Sequence, residues 1–324
     1  MAYFLIFIFL IIVLIFYVRI AKYFSIVDKP NVRSSHFKVT VRGGGIIFPI
    51  AAFAWFFLSG FEYPKFFLGL MIISFISFWD DVWPLPIYIR LIFQFACVFL
   101  LFLEIGFDLF PWWCLIIYIV AAIGTINAFN FMDGINGITA TYSLSVISGL
   151  WLINTYQSQF IENDFLNFIS ISLVVFCIFN LRKNAITFAG DVGSISISFI
   201  LVFMLALLIQ KTGNFIFLIL ISVYGIDSIL TIIYRIWIKE NIFAPHRKHL
   251  YQILANELNI SHVVVALIYS ILQLLICIVI FFALKENATG SVLLFIGVGI
   301  IISLIYTWSF LHKRINIEQL NKAT

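Results

Sequence analysis

An all-α, polytopic integral membrane protein of about eleven spans is what this chain predicts, on three observations. Of its 324 residues, 63% are hydrophobic and 10% charged, a balance that exceeds the needs of one aqueous core. The apolar residues fall in runs of membrane-spanning length, separated by short polar segments. The Lys and Arg residues gather in alternate segments, as the positive-inside bias requires. Only helices suit such runs, because backbone groups in lipid must be satisfied within the segment.

Taken in order, the spans are expected near 3–21, 43–60, 66–79, 88–106, 112–129, 137–155, 165–181, 192–210, 214–237, 262–284 and 291–311. The first has no basic segment before it and no small-residue cleavage site after it, so it reads as a retained span rather than a signal peptide. The third is short, which suggests a tilted or half-buried helix. An outside N-terminus and a cytoplasmic C-terminus put 16 of the 19 basic residues inside, leaving Lys65, Lys211 and Lys285 outside. The outer acidic residues, Glu104 and Asp164 among them, read as solvated loop charges. No soluble domain interrupts the chain, so residues 1–324 form one transmembrane domain. Cys97, Cys114, Cys177 and Cys277 all lie in apolar runs and read as packing residues. A net charge of +4, scattered through short loops, makes no nucleic-acid stripe.

Five polar clusters fall on the inside, in loops near 22–42, 80–90, 130–137, 182–191 and 238–261. The first, Asp28 to His36 followed by Arg42 and Gly43–Gly45, offers Lys29 and Arg33 to phosphate, and three glycines whose N–H groups can approach an anion. The second pairs Asp80 with Asp81 at the end of an apolar run. Two such carboxylates repel each other unless a hard cation or a shared proton intervenes. Arg90 and Gln94, four apart, share a helix face.

The third cluster runs from Asn127 through Asn130 and Asp133 to Asn136, with Gly134 and Gly137 ending the helix. In the fourth, Phe188-Ala189-Gly190-Asp191, Asp191 reads either as a stabilising anion at a helix start or as a metal oxygen donor. The fifth crowds His246, Arg247, Lys248 and His249 together, a pattern better suited to an anion than to a metal. Carboxylates for Mg²⁺, basic groups for phosphate, and Asn with Phe for a planar base describe a joining of two anionic partners.

Together, DKPNVRSSH, the Asp80–Asp81 pair, NAFNFMDGINGI, FAGDVGS and PHRKHLYQ resemble the motifs of the polyprenyl-phosphate N-acetylhexosamine-1-phosphate transferases, glycosyl transferase family 4. That family includes the initiating enzymes of O-antigen and enterobacterial common antigen synthesis and the phospho-N-acetylmuramoyl-pentapeptide transferase. The resemblance implies a bacterial inner-membrane enzyme that moves a sugar-1-phosphate from a UDP-N-acetyl-hexosamine to undecaprenyl phosphate, releasing UMP and needing Mg²⁺ or Mn²⁺. It implies no nucleic-acid partner, and it is the sole basis for expecting a homodimer.

By matching positions, the resemblance makes Asp80, Asp81 and His249 catalytic and Asp191, Asn130 and Asp81 metal-site residues. Phe188, Asp133, Asn136 and Asn127 fall at the nucleotide. His246 and Arg247 fall at phosphate; Arg33 and Lys29 join them as basic groups of the first cluster, and Arg90 is expected to stand in for the Lys usual after Asp81. Three departures stand out: Asn136 where a second Asp is usual, Tyr251 and Gln252 where histidines are usual, and no Lys after Asp81. The missing histidines turn the expectation from the pentapeptide branch toward the initiating branch for O-antigen or capsule. The rival readings are a lipid-linked sugar transporter, for which Asp227 is the main intramembrane candidate, and an inactive scaffold of the same family.

Overall fold

The computed structural model describes residues 1–30, 35, 38–106, 111, 113–241, 244, 246–285, 299 and 307–309. Arg33 and most of the eleventh expected span lie outside these residues. The other ten expected spans are all helical: α1 (Ala2–Tyr23), α2 (Ile47–Leu58), α3 (Pro64–Val82), α4 (Ile87–Ile105), α5 (Cys114–Met132), α6 (Ile138–Tyr156), α7 (Asn163–Asn180), α8 (Gly190–Thr212), α9 (Ser222–Trp237, led in by a 3₁₀ turn at Phe215–Ile221) and, after a short α10 (Leu250–Gln252), α11 (His262–Lys285). Seven of the spans are long and apolar enough to cross a membrane by length and composition. The third, expected to be short, is α3, with 19 residues. Pro64 starts it two residues earlier than its apolar run suggests, and Asp80 and Asp81 form part of its last turn.

Among the described residues, the structure departs from all-α at one place. Val27–Asp28 (β1) pairs antiparallel with Thr40–Val41 (β2), and Val41 bridges Thr187 in parallel. Two-residue strands carry too little periodicity to be read from sequence. Their effect is large, because they set Val41 against Thr187 in the segment before α8.

Helix α8 is the axis of the bundle. It is buried on every side, with α2, α3, α4, α5 and α6 around it. Its serines, at 194, 196 and 198, let neighbours come close, and Ser196 shares a hydrogen bond of 2.8 Å with Ser74 of α3. Phe66 of α3 stacks on Phe203 of α8 with ring centroids 3.8 Å apart. A second layer joins α6 to α9 and α11, where Tyr142 and Tyr224 stack at 3.6 Å and Tyr142 donates to Gln273 at 2.8 Å.

Glu104 and Asp164, expected from the sequence to be solvated loop charges, have structural partners. Glu104 accepts from the backbone N–H groups of Lys65 and Phe66 at the start of α3, and Asp164 accepts from Tyr3. Both contacts join segments more than 35 residues apart, so sequence spacing could not show them. At the opposite end of the bundle meet the ends of α3, α5 and α7 and the starts of α4, α6 and α8, and there the polar clusters converge.

Candidate active site

Asp81 is the residue on which this end of the molecule is built. Its side chain is fully buried. Its two oxygens accept from the backbone N–H of Asp191 at 2.8 Å and of Val192 at 3.0 Å, so a carboxylate on α3 caps the start of α8. Helix N-termini leave such N–H groups without intrahelical partners, and their dipole favours an anion. Of the two readings open for Asp191, the capping anion is therefore Asp81, and the Asp191 side chain is released for other contacts. Gly190 makes this possible. Its φ is +72°, and a Cβ there would fall 2.5 Å from an Asp81 oxygen.

Two arginines are interleaved with three carboxylates. Arg42 Nε lies 2.5 Å from Asp81, and its Nη2 lies 2.9 Å from Asp191. Arg90 Nη1 lies 3.0 Å from Asp80 and 3.6 Å from Asp191. Asp80 also accepts from the backbone N–H of Leu85 at 2.6 Å. Burial alone would lower the Arg42 pKa, but the charges of Asp191 and Asp81 outweigh it and raise it, so Arg42 stays charged. The Nε of Arg90 is buried with no acceptor, a donor left over for an anion.

A polar cavity of about 340 Å³ opens beside this cluster, walled by Asp28, Arg42, Asn130, Asp133 and Asp191. A second, of about 700 Å³, adjoins it, with Lys38, Thr40, Lys183 and Asn184 in its wall. Ser35, Asn136, Phe188 and His262 line both. Asn130 accepts from Ser194 at 2.9 Å. Asp133 follows α5 and accepts from Thr139 at 2.5 Å. Burial pushes the Asp133 carboxyl up to about 6, the Thr139 hydrogen bond opposes this, and the nearby Asp81 charge adds to it.

Asn136 is buried, and its amide donates to the carbonyls of Arg182 (2.7 Å) and Lys183 (3.3 Å). Its donors are thus spent on the 182–183 backbone, and its oxygen is what remains for a ligand. Asn180 shapes the same corner by accepting from Gly137 N–H and donating to the Thr187 carbonyl.

Several expected residues stand elsewhere. Asn127 donates to Gln94 at 2.8 Å, joining α5 to α4, and lines neither cavity. Lys29 is exposed at the loop start. The N–H groups of Gly44 and Gly45 donate to the carbonyls of Phe188 and Ala189, so the triple glycine docks two backbones and offers no anion nest through these groups. A Cβ on Gly45 would lie 2.3 Å from the Gly193 Cα, which is why no larger residue fits.

His246, Arg247 and His249 line neither cavity. His249 is buried with its Nδ1 3.4 Å from Asp227. Burial, then the charges of His249 and Arg235, push the His246 pKa down to about 4, and its Nδ1 accepts from the Lys248 backbone at 3.3 Å. At neutral pH it adds no charge to the basic cluster. Sequence reading missed Asp28, Lys38, Lys183, Gln252 and His262 as cavity residues. Asp28 had a signal in its motif, whereas His262 merely begins an apolar helix.

Among the described residues, no three His, Cys, Asp or Glu side chains converge as a ready metal site. The donor set nevertheless fits Mg²⁺. That ion takes oxygen ligands, commonly one or two carboxylates with water and substrate phosphate completing the shell. Asp191 and Asn130 supply a carboxylate and an amide oxygen at one cavity wall. Mn²⁺ accepts the same oxygen donors.

Residues 63–210 match the family model described as Glycosyl transferase family 4. The chain is 27% identical over 260 residues to the Probable undecaprenyl-phosphate N-acetylglucosaminyl 1-phosphate transferase of Bacillus subtilis (strain 168), covering 72% of this chain and 70% of that protein. It is 27% identical over 262 residues to the Undecaprenyl-phosphate alpha-N-acetylglucosaminyl 1-phosphate transferase of Yersinia pestis, covering 73% and 71%.

Proposed function

Because the chain belongs to glycosyl transferase family 4, we propose that it transfers an N-acetylhexosamine-1-phosphate, or a deoxy variant, from a UDP-sugar to undecaprenyl phosphate. An oxygen of the lipid phosphate forms a new bond to the phosphorus that carries the sugar. The bond from that phosphorus to the UMP oxygen breaks, and UMP leaves with the electron pair. The product is a diphosphate-linked lipid sugar that initiates a cell-surface glycan such as O-antigen or capsule. In this reading the protein lies in the bacterial inner membrane with eleven spans, its N-terminus outside and its C-terminus and site in the cytoplasm. The inside bias of its Lys and Arg residues supports that orientation.

The observation that carries the proposal is the alternation of Arg42 and Arg90 with Asp80, Asp81 and Asp191 beside a polar cavity that a larger, more apolar one adjoins. Two anionic substrates repel each other, so fixed cations must offset their charge as they meet. Arg90, with its unpaired Nε, serves the lipid phosphate, and Asp80 orients that phosphate or takes its proton. Arg42 turns from Asp191 toward the diphosphate. Asp191 and Asn130 would hold Mg²⁺, which when bound supplies charge neutralisation at the diphosphate. Phe188, Asp133 and the Asn136 oxygen hold the uridine end, and Lys38, Lys183 and His262 surround the rest of the donor.

UMP release by detergent-purified protein tests this reading. The assay supplies undecaprenyl phosphate, Mg²⁺ and a panel of UDP-N-acetyl-hexosamines, with EDTA as control. Release that needs lipid, metal and one sugar is expected. Folded protein that neither binds a UDP-sugar nor releases UMP overturns it.

A further inference from the structure

Asp227 lies inside α9, where a carboxylate is expensive unless its hydrogen-bonding capacity is met. The fold meets it completely from within. Asp227 accepts from the backbone N–H of Leu250 at 2.9 Å and of Tyr251 at 3.4 Å, from the Tyr269 hydroxyl at 2.7 Å and from the Thr231 hydroxyl at 3.3 Å. His249 Nδ1 stands 3.4 Å away. A residue so occupied faces no transport pathway. It caps the start of α10 and draws the end of the basic loop into the bundle.

From that anchored segment Tyr251 reaches across to α5. Its ring is fully buried, and its hydroxyl donates to the Phe131 carbonyl at 2.9 Å. Carbonyls in the last turn of a helix lack intrahelical partners, so this contact satisfies one of them. The same hydroxyl occupies the space that a side chain at residue 134 would need, since a Cβ on Gly134 would fall 2.2 Å from it. Asn130 and Asp133, which line the smaller cavity, flank this contact.

We propose that Asp227 and Tyr251 are positioning residues. Together they form a strut that holds the turn after α5, and with it Asn130 and Asp133, in register for the UDP-sugar. The role rests on the transferase reading, but the strut itself does not. Neither residue touches the reacting atoms. The strut acts through the backbone of residues 131–134, and it gives Tyr251, which replaces a residue usual in the resembled family, a task that a shorter side chain could not perform.

The test compares wild type with Tyr251→Phe, Asp227→Asn and the double variant, all as full-length detergent-purified protein. Tyr251→Phe keeps the ring and removes only the hydroxyl. The expected result is a rise of about five- to tenfold in KM for the UDP-sugar, with KM for undecaprenyl phosphate unchanged. The double variant should lose no more than the worse single variant, because both break one strut. Amide hydrogen exchange across residues 131–134 should quicken in each variant. A fall in kcat alone in step with thermal stability, or strictly additive losses, overturns the proposal. If the wild type turns over no UDP-sugar, the transferase reading fails, and exchange alone decides the strut: unchanged protection at 131–134 overturns it.

Discussion

Asp81 accepts hydrogen bonds from the backbone N–H of Asp191 and of Val192, 110 and 111 residues away, so one of the expected metal-site carboxylates is a structural cap. This separates the two residues that the sequence groups together as metal-site carboxylates. Asp81 is buried between a helix start and Arg42, whereas Asp191 faces the cavity.

Asp81→Asn and Asp191→Asn should therefore fail differently. The two helix N–H groups meet different Asp81 oxygens, and an amide would set its NH₂ donor against one of them, so Asp81→Asn should lower thermal stability by about 1–3 kcal/mol and abolish turnover. Asp191→Asn should abolish turnover with little change in the melting temperature. Thermal melts of the two detergent-purified variants, beside UMP release, check this. Equal melting temperatures would contradict the capping role.

Arg42 spans two carboxylates with two nitrogens. A lysine has one ammonium and cannot bridge both. Arg42→Ala should cut kcat by roughly 10²–10³-fold, in the range of other lost electrostatic stabilisers, and Arg42→Lys should recover only part of it. Full recovery with Lys would show that charge alone, without the bridge, is what the site needs.

The Asp133 carboxyl is pushed up to about 6, and in the proposed function it meets the donor as a carboxylate. UDP-sugar use should then decline as pH falls through about 6. Thr139 donates to the ionised form and so holds the pKa down. Thr139→Val removes that hydrogen bond, raises the pKa and moves the acid limb to higher pH. The pH dependence of kcat/KM for the donor checks the sign. A limb that stays in place, or moves to lower pH, would separate Asp133 from donor binding.

Gly190→Ala introduces a Cβ at φ +72°, 2.5 Å from an Asp81 oxygen. The left-handed backbone alone costs about 1–2 kcal/mol. The clash adds the displacement of Asp81 from α8, so activity should be lost along with stability. An active, stable Gly190→Ala protein would show that Asp81 need not approach so closely.

The sequence by itself determined the class of protein, ten of the helices and the set of polar clusters that meet at one end. Those properties are local. Apolar run length sets a span, Gly134 and Gly137 end a helix wherever they fall, and charge bias is a property of loops. It also carried the chemical inventory of Asp80, Asp81, Asp191 and Asn130, within five ordered motifs, at sufficient specificity to identify the resemblance.

The tertiary structure alone decided what each of these groups bonds. Asp81 and Asp191 differ only in what lies opposite them. Asn127 and Asn130 sit one turn apart on α5, yet one meets Gln94 on α4 and the other Ser194 on α8. Asp227, an intramembrane carboxylate in sequence, is satisfied by residues 231, 250, 251 and 269. His262, at the head of an apolar helix, reaches the cavity because α11 packs along α6. The physical reason is common to all four. A helix surface faces several neighbours at once, and which neighbour a polar group meets is fixed by packing between segments far apart in the chain, for which a single sequence carries no periodicity.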